Sequence, residues 1–184
     1  MSWVLLQAWE HVKQLEGGFT VDEGGSTKFG VCWKWDKEYL IALGYSEDTV
    51  KDLTEKDAFH IFTNKYWFNH KFYLLEPLPL VCKHALDLDY HEGKYGWMSV
   101  QLTCNEVIKS NLTIDGACGP KTKQAVIDLI NYSKVSELEA LNDNSLCAIL
   151  RKHKTILYTG IWLEELELSD PRATIKYNSA LRRV

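Results

Sequence analysis

The stretch from Gln14 to Val31 holds the residues best placed to do chemistry: Glu16, Gly17, Gly18, Phe19, then Asp22, Glu23, Gly24, Gly25, Ser26, Thr27, Phe29 and Gly30. A carboxylate on the last turn of a helix faces the negative end of the macrodipole, which disfavours its charged form and raises its pKa. A general acid needs that. Asp22 and Glu23 follow in a Gly-rich turn that can set a second carboxylate opposite the first, and a hydroxyl, Ser26 or Thr27, comes just after. Acid, carboxylate and hydroxyl are the parts for protonating a glycosidic oxygen and directing water at an anomeric carbon. The same residues have a plainer reading, a solvated helix end followed by an ordinary turn, and spacing alone leaves both open.

The elements that must hold these residues are helical. Val4, Leu5, Ala8, Trp9, Val12 and Leu15 recur on one face of a 3.6-residue period, with Ser2 as the cap and Gly17-Gly18 as the stop, which puts Glu16 on the last turn. Thr54 and Asp57 have capping-box spacing, and Ala58, Ile61, Phe62, Lys65 and Tyr66 continue as a helix. Further helices are predicted from Pro79 to about Asp89, along Trp97 to Ile108, from Pro120 through Ile130, after Ser136 with Glu139, and along Leu146 to Leu157. Only the stretch from Gly17 to Cys32 reads as turn and short strand. The fold class expected from these patterns is mainly α, with a small Gly-rich turn and strand region. His91-Glu92-Gly93-Lys94-Tyr95-Gly96 interrupts two helical patterns, so a division into 1–94 and 95–184 is expected, the two packed as one unit.

Composition narrows the function classes. The chain has 184 residues, 46% of them hydrophobic, enough for a real core. Twenty-one Lys and Arg against 25 Asp and Glu give a formal charge of −4, so no bulk basic field exists to hold nucleic acid, and no nucleic-acid partner is expected. No apolar run reaches the roughly 18 residues of a membrane span, so no stable membrane insertion is expected, and the first residues lack the pattern of an export signal. Five scattered cysteines without a C-x-x-C pair argue against a disulfide framework and point to a reducing compartment. A monomer is expected.

Glu16-Gly17-Gly18-Phe19 and Gly24-Gly25-Ser26-Thr27-Lys28-Phe29-Gly30-Val31 resemble the N-terminal motif of glycoside hydrolase family 108, a family of phage endolysins and bacterial N-acetylmuramidases. The likeness continues through Tyr66-Trp67 and Ala85-Leu86-Asp87-Leu88-Asp89. Val100-Gln101, Asp115-Gly116, Gly119-Pro120, Thr122 and Ala125 resemble a peptidoglycan-binding C-terminal module. The spacing between Glu16 and Gly24-Gly25 is shorter than usual in the family, and Tyr90-His91-Glu92-Gly93 stands where relatives show Asn-Ser-Gly.

The resemblance implies a lysozyme-like helical domain with the small Gly-rich turn and strand region at the active site, and Glu16 as the catalytic acid, with Asp22 and Thr27 completing a trio similar to the Glu, Asp and Thr of phage lysozymes. Glu23 is the rival second carboxylate, otherwise a substrate contact. It also implies a peptidoglycan hydrolase cutting the β-1,4 bond between N-acetylmuramic acid and N-acetylglucosamine, with bacterial peptidoglycan as partner and no cofactor or metal. Such an enzyme collects in the bacterial host cytoplasm and reaches the wall after release, through a holin-type lesion. Aromatic rings stack on sugar faces, and Phe19, Phe29, Trp33 and Trp35 are the expected substrate contacts, while Trp9, Trp67 and Trp97 lie on apolar stripes and belong to the core. Asp115-Gly116 and Gly119-Pro120 are better read as a turn feeding a Pro-started helix than as a wall contact.

Two other classes compete. A drifted, non-catalytic wall-binding module is the first, supported by the shortened turn. A zinc amidase or peptidase on the stem peptide is the second, but six histidines offer no H-E-x-x-H and only a weak His84, His91 pair.

Overall fold

A computed structural model describes residues 2–15, 18–22, 25–135 and 143–167, with the backbone alone at 15, 22, 135, 155, 156 and 158–167. The chain is mainly α with one small sheet, the fold class expected, and it falls into two compact units, residues 1–76 and 77–184.

In the first unit α1 (Trp3–Leu15) starts where Ser2 places its hydroxyl to accept from the Leu5 amide at 3.3 Å. Its apolar face buries Val4, Leu5, Ala8, Trp9 and Val12. The Trp9 ring meets Phe59 and Phe62 of α3 (Glu55–Phe62) at centroid distances of 5.7 and 5.2 Å, so α1 and α3 are joined through aromatic contacts. Thr54 caps α3, accepting from the Asp57 amide at 3.1 Å. The Asp57 carboxylate in turn accepts from the Thr54 hydroxyl and from Tyr45, both at 2.7 Å, and those bonds hold its pKa below the ordinary value.

Beyond Phe62 the helix widens into a π-helical segment, Thr63–Asn69, which buries Tyr66 and Trp67. The Thr63 hydroxyl donates to the Phe59 carbonyl at 2.8 Å and competes with the regular ladder at the point where the widening begins.

The sheet has three antiparallel strands in sequence order: β1 (Thr20–Asp22), β2 (Gly25–Lys28) and β3 (Val31–Cys32). Thr20 pairs with Thr27, Val21 with Ser26 and Asp22 with Gly25; Thr27 then pairs with Cys32 and Lys28 with Val31. Directly after β3 comes α2 (Trp33–Ala42), a helix that no apolar periodicity predicts. Only Asp36 and Leu40 of this helix are buried, so there was no apolar stripe to detect.

In the second unit α4 (Pro79–Glu92) packs on α5 (Tyr95–Ile108) and α7 (Asp143–Glu167), and α5 packs on α7 and on α6 (Pro120–Val135). The approach of α4 to α5 is tight at Gly96, where a Cβ would collide with the Ala85 carbonyl and with Asp89. Asp143 at the start of α7 caps α4 from across the sequence, accepting from the Leu80 amide at 2.8 Å and the Val81 amide at 3.3 Å.

These contacts place α4 with the helices that follow it. The compact units therefore divide at 76/77, whereas the expected division at 94/95 falls in the turn between α4 and α5. That turn does break two helices, since α4 ends at Glu92 and Gly93 has φ +66°. The helix expected around Ser136 and Glu139 lies outside the described residues.

Candidate functional site

Glu16 and Glu23 lie outside the described residues, and Asp22 is described by its backbone alone. The structure supplies the frame around them. α1 runs to Leu15, immediately before Glu16, and the hairpin pairs Asp22 with Gly25, so the two-residue connection 23–24 joins β1 to β2. Because alternate residues of a strand belong to opposite faces of the sheet, the register makes positions 20, 22, 25, 27 and 32 one set and 21, 26, 28 and 31 the other. Asp22 and Thr27 thus occupy positions on the same face.

Gly25 is required by its backbone, while the space beside it is bounded only by the movable end of the exposed Glu47 side chain and by ordinary contact with Trp33. Its φ is +89°, and an added Cβ would lie 2.9 Å from Glu47 Oε1 and 3.8 Å from the Trp33 Cβ. Glu47 opens a 3₁₀ segment, Glu47–Asp52, that packs on β2 and is tied to it by a Lys28 Nζ bond to the Lys51 carbonyl at 2.6 Å. The hairpin is therefore backed on one side by this segment, with Trp33 beside the Asp22/Gly25 pair.

At the other end of β2, Phe29 and Gly30 form the two-residue turn into β3, with φ +53° and +72°. Positive φ at both central positions is the I′ geometry that suits hairpin twist, and it is unusual for a bulky aromatic at the first of them. Lys28 Nζ stands 5.4 Å from the Phe29 ring centroid.

Of the aromatic residues expected to contact a sugar, Phe19 is 43% exposed, Phe29 and Trp33 are half-buried and Trp35 is 67% exposed. At about 100° per residue, α2 sets Trp33 and Trp35 about 200° apart around its axis. The two do not share a wall: Trp33 neighbours the hairpin, while Trp35 turns to another side with Lys34 Nζ 4.8 Å from its ring. Lys37 Nζ lies 5.6 Å from the Trp33 ring, so both indoles carry a cation nearby.

Sequence reasoning missed what fixes α2. Asp36, buried, accepts from the Cys32 amide at 3.0 Å and from Lys65 Nζ at 2.7 Å. One carboxylate thereby secures the helix start beside β3 and ties it to the π-helical segment. The signal was absent from local spacing, because Lys65 is 29 residues away.

The second unit spends its polar groups internally. Gln101, buried in α5, donates to Asp115 Oδ1 at 2.7 Å, the Ala117 carbonyl at 3.1 Å and Thr122 Oγ1 at 3.2 Å, and its own oxygen accepts from the Asp115 and Gly116 amides at 3.1 and 2.9 Å. These bonds hold Asp115 below its ordinary pKa, the Gln101 amide first and the Ala117 amide next. Gly116 has φ +73°, and a Cβ there would strike Lys94. The D-G-x-x-G-P-x-T residues thus build a turn and a helix start.

Asp87, within the Ala85–Asp89 run, is fully buried with Lys154 of α7, whose Nζ lies 2.7 Å from Oδ2, while His91 Nε2 stands 3.3 Å from Oδ1. Burial pushes the Asp87 carboxyl up, but the His91 contact and the Lys154 charge outweigh it and hold the carboxyl well below the ordinary carboxylate range. Burial pushes the Cys104 thiol up to about 12, which leaves it no thiolate for nucleophilic chemistry. Among the described residues no three His, Cys, Asp or Glu side chains gather to hold a metal ion, and no helix is long and apolar enough to cross a membrane.

Residues 9–93, just under half of the chain, match the family Glycosyl hydrolase 108. That span starts inside α1, contains Glu16, the hairpin and α2, and ends one residue after α4. The match stops short of the Gln101 network, and nothing in the comparisons supports a peptidoglycan-binding module there. The solved structure of Brucella abortus SagA is similar in fold, with a TM-score of 0.54 and 23% identity over 97% of this chain and 94% of that one. No curated protein matches the sequence.

Proposed function

We propose that the protein is a glycoside hydrolase of bacterial peptidoglycan that cleaves the β-1,4 bond between N-acetylmuramic acid and N-acetylglucosamine. The observation that carries this reading is the match of residues 9–93 to Glycosyl hydrolase 108, because that span contains Glu16 together with the sheet and α2. In the proposed reaction Glu16, following the last turn of α1, is the general acid that protonates the glycosidic oxygen. The step requires a protonated carboxyl, the form that the negative end of a helix dipole favours in a nearby acid.

Asp22 is the second carboxylate, with Glu23 as its rival, and Thr27, on the same sheet face as position 22, helps orient water. A carboxyl separation of about 6.5 to 9.5 Å leaves room for that water and goes with inversion, which is the outcome proposed; about 5 to 5.5 Å would go with a retaining nucleophile. Phe19, Phe29 and Trp33 offer ring faces to the sugars. In a bacterial host the enzyme acts as an endolysin, held in the cytoplasm until a holin-type lesion admits it to the wall.

The test is turnover of purified peptidoglycan by the intact chain and by Asp22→Asn and Glu23→Gln. Loss with Asp22→Asn and near-native activity with Glu23→Gln supports the assignment, and the reverse pattern exchanges the two. Amine release without new reducing ends would replace the glycosidase with an amidase, and binding without turnover would replace it with a wall-binding module.

A further inference from the structure

We propose that Asp36 is a positioning residue of the first unit: through the Cys32 amide it sets where the Thr27 hydroxyl stands, with Lys65 holding its carboxylate in place. The proposal rests on the reading that Thr27 orients water, and adds to it the groups that hold Thr27 still.

Lys65 is a cation that needs a partner. Ala58, Ile61, Phe62, Lys65 and Tyr66 follow one helical stripe, and all of them but Lys65 are buried. A lysine on such a stripe is carried toward the interior and must be paired there. The partner is Asp36, buried on α2, whose Oδ1 accepts from Lys65 Nζ at 2.7 Å. Lys65 belongs to the π-helical segment, in which the His70 amide reaches back five residues to the Lys65 carbonyl at 2.9 Å. Its ammonium also lies 5.0 Å from the centroid of the buried Tyr66 ring. The cation is thus fixed by a ring as well as by the helix that carries it.

The second oxygen of Asp36 turns to the sheet. Oδ2 accepts from the Cys32 amide at 3.0 Å, a charge-assisted bond. Cys32 is the cross-strand partner of Thr27, and directly opposed residues of an antiparallel pair stand about 4.5–5.5 Å apart at Cα with their side chains on one face. β3 has only two residues, and its register with β2 consists of the Lys28/Val31 pair, which closes the Phe29-Gly30 turn, and the Thr27/Cys32 pair. The Asp36 bond therefore acts at the open end of this short ladder, where pairing alone holds a strand least.

Of the two hydroxyls that follow Gly25, Ser26 is buried and belongs to the set 21, 26, 28 and 31, while Thr27 is half-buried and shares its face with positions 22 and 32. The line Lys65, Asp36, Cys32, Thr27 runs from the interior to the face that carries position 22. A hydroxyl that orients water acts only from a defined place, and a misplacement of about 1 Å can cost about 100-fold in rate.

Asp36→Ala alone would strand the Lys65 ammonium, so the test removes both charges together, as Asp36→Ala with Lys65→Met. On solubilised peptidoglycan strands this pair variant should lower kcat per folded molecule about tenfold and leave KM within about twofold. Thr27→Val, which keeps the branched side chain and removes the hydroxyl, should also lower kcat, and adding the pair variant to it should cost nothing more. Where Thr27→Val does lower kcat, losses that multiply, or an unchanged kcat for the pair variant, overturn the proposal. A second readout is independent of turnover. In the native chain the Cys32 amide should resist hydrogen exchange and three-bond couplings should show one χ1 rotamer for Thr27; the pair variant should lose both while the α1 amides keep their protection. A Thr27 rotamer that survives in the pair variant overturns the positioning role. No turnover by the intact chain, or full activity of Thr27→Val, refutes the catalytic reading instead and leaves the rotamer to decide the role of Asp36.

Discussion

The hairpin of the first unit and the Gln101 network of the second both consist of glycines, hydroxyls and acidic residues in a short irregular stretch, and they use these groups in opposite ways. Around Gln101 the side-chain amide makes five bonds to Asp115, Gly116, Ala117 and Thr122, and the glycine packs against Lys94. Around β1 to β3 the backbone pairs with itself while Phe19 and Val21 stay exposed and Phe29 sits in an unfavoured backbone region. Polar residues fully occupied by their own fold stabilise that fold. A turn that leaves apolar rings in water and accepts strain is the better place to look for a ligand.

The strongest test of this contrast is the buried pair of the second unit. Asp87→Asn leaves the Lys154 ammonium uncompensated in the interior and should cost about 3–5 kcal/mol, measured by urea unfolding and by hydrogen exchange of α4 and α7. Asp87→Leu combined with Lys154→Met should cost far less, since the pair's desolvation is relieved together. An equal loss for both variants would mean that volume rather than charge sets the cost. The pH dependence has a definite sign. Because the folded state depresses the Asp87 pKa, its contribution is complete above the ordinary carboxylate value of about 4 and falls away as the pH drops below it. Acid titration of unfolding free energy should show that decline, and Asp87→Asn should flatten it.

Next in size is Glu16→Gln, expected to lower lysis by at least about 100-fold, roughly 2.7 kcal/mol, with circular dichroism and melting temperature nearly unchanged. A mere helix-end residue would leave lysis near the native rate. Gln101→Ala should show the opposite profile, a loss of about 2 kcal/mol of stability with turnover per folded molecule intact. The smallest effect separates two neighbouring indoles. Trp33→Ala should reduce turnover about tenfold, some 1.4 kcal/mol, and Trp35→Ala less than twofold, because α2 places them on different sides. Equal losses would put both on one sugar-binding surface.

Much of the fold was legible because the informative contacts are local and periodic. The face of α1, the Thr54 cap, and helices α4 to α6 all follow from apolar spacing and turn residues, and Trp9, Trp67 and Trp97 are buried as their stripes predict. The parts that were not legible depend on partners distant in sequence. α2 is fixed by Asp36 and Lys65, Asp87 by Lys154 from 67 residues away, and the cap on α4 by Asp143. The division at 76/77 escaped notice for the same reason, because a Gly-containing turn between α4 and α5 gives a strong local signal while the packing that joins them does not. At the candidate site the residue types around Glu16 could be read from the sequence. The separation of Trp33 from Trp35 required the helix that carries them.

The most direct measurement of the central claim is the identity of the new reducing end released from purified peptidoglycan by the intact chain. The account predicts N-acetylmuramic acid at that end, with its release abolished by Glu16→Gln. N-acetylglucosamine at the new reducing end, or free amines with no new reducing end, would contradict it.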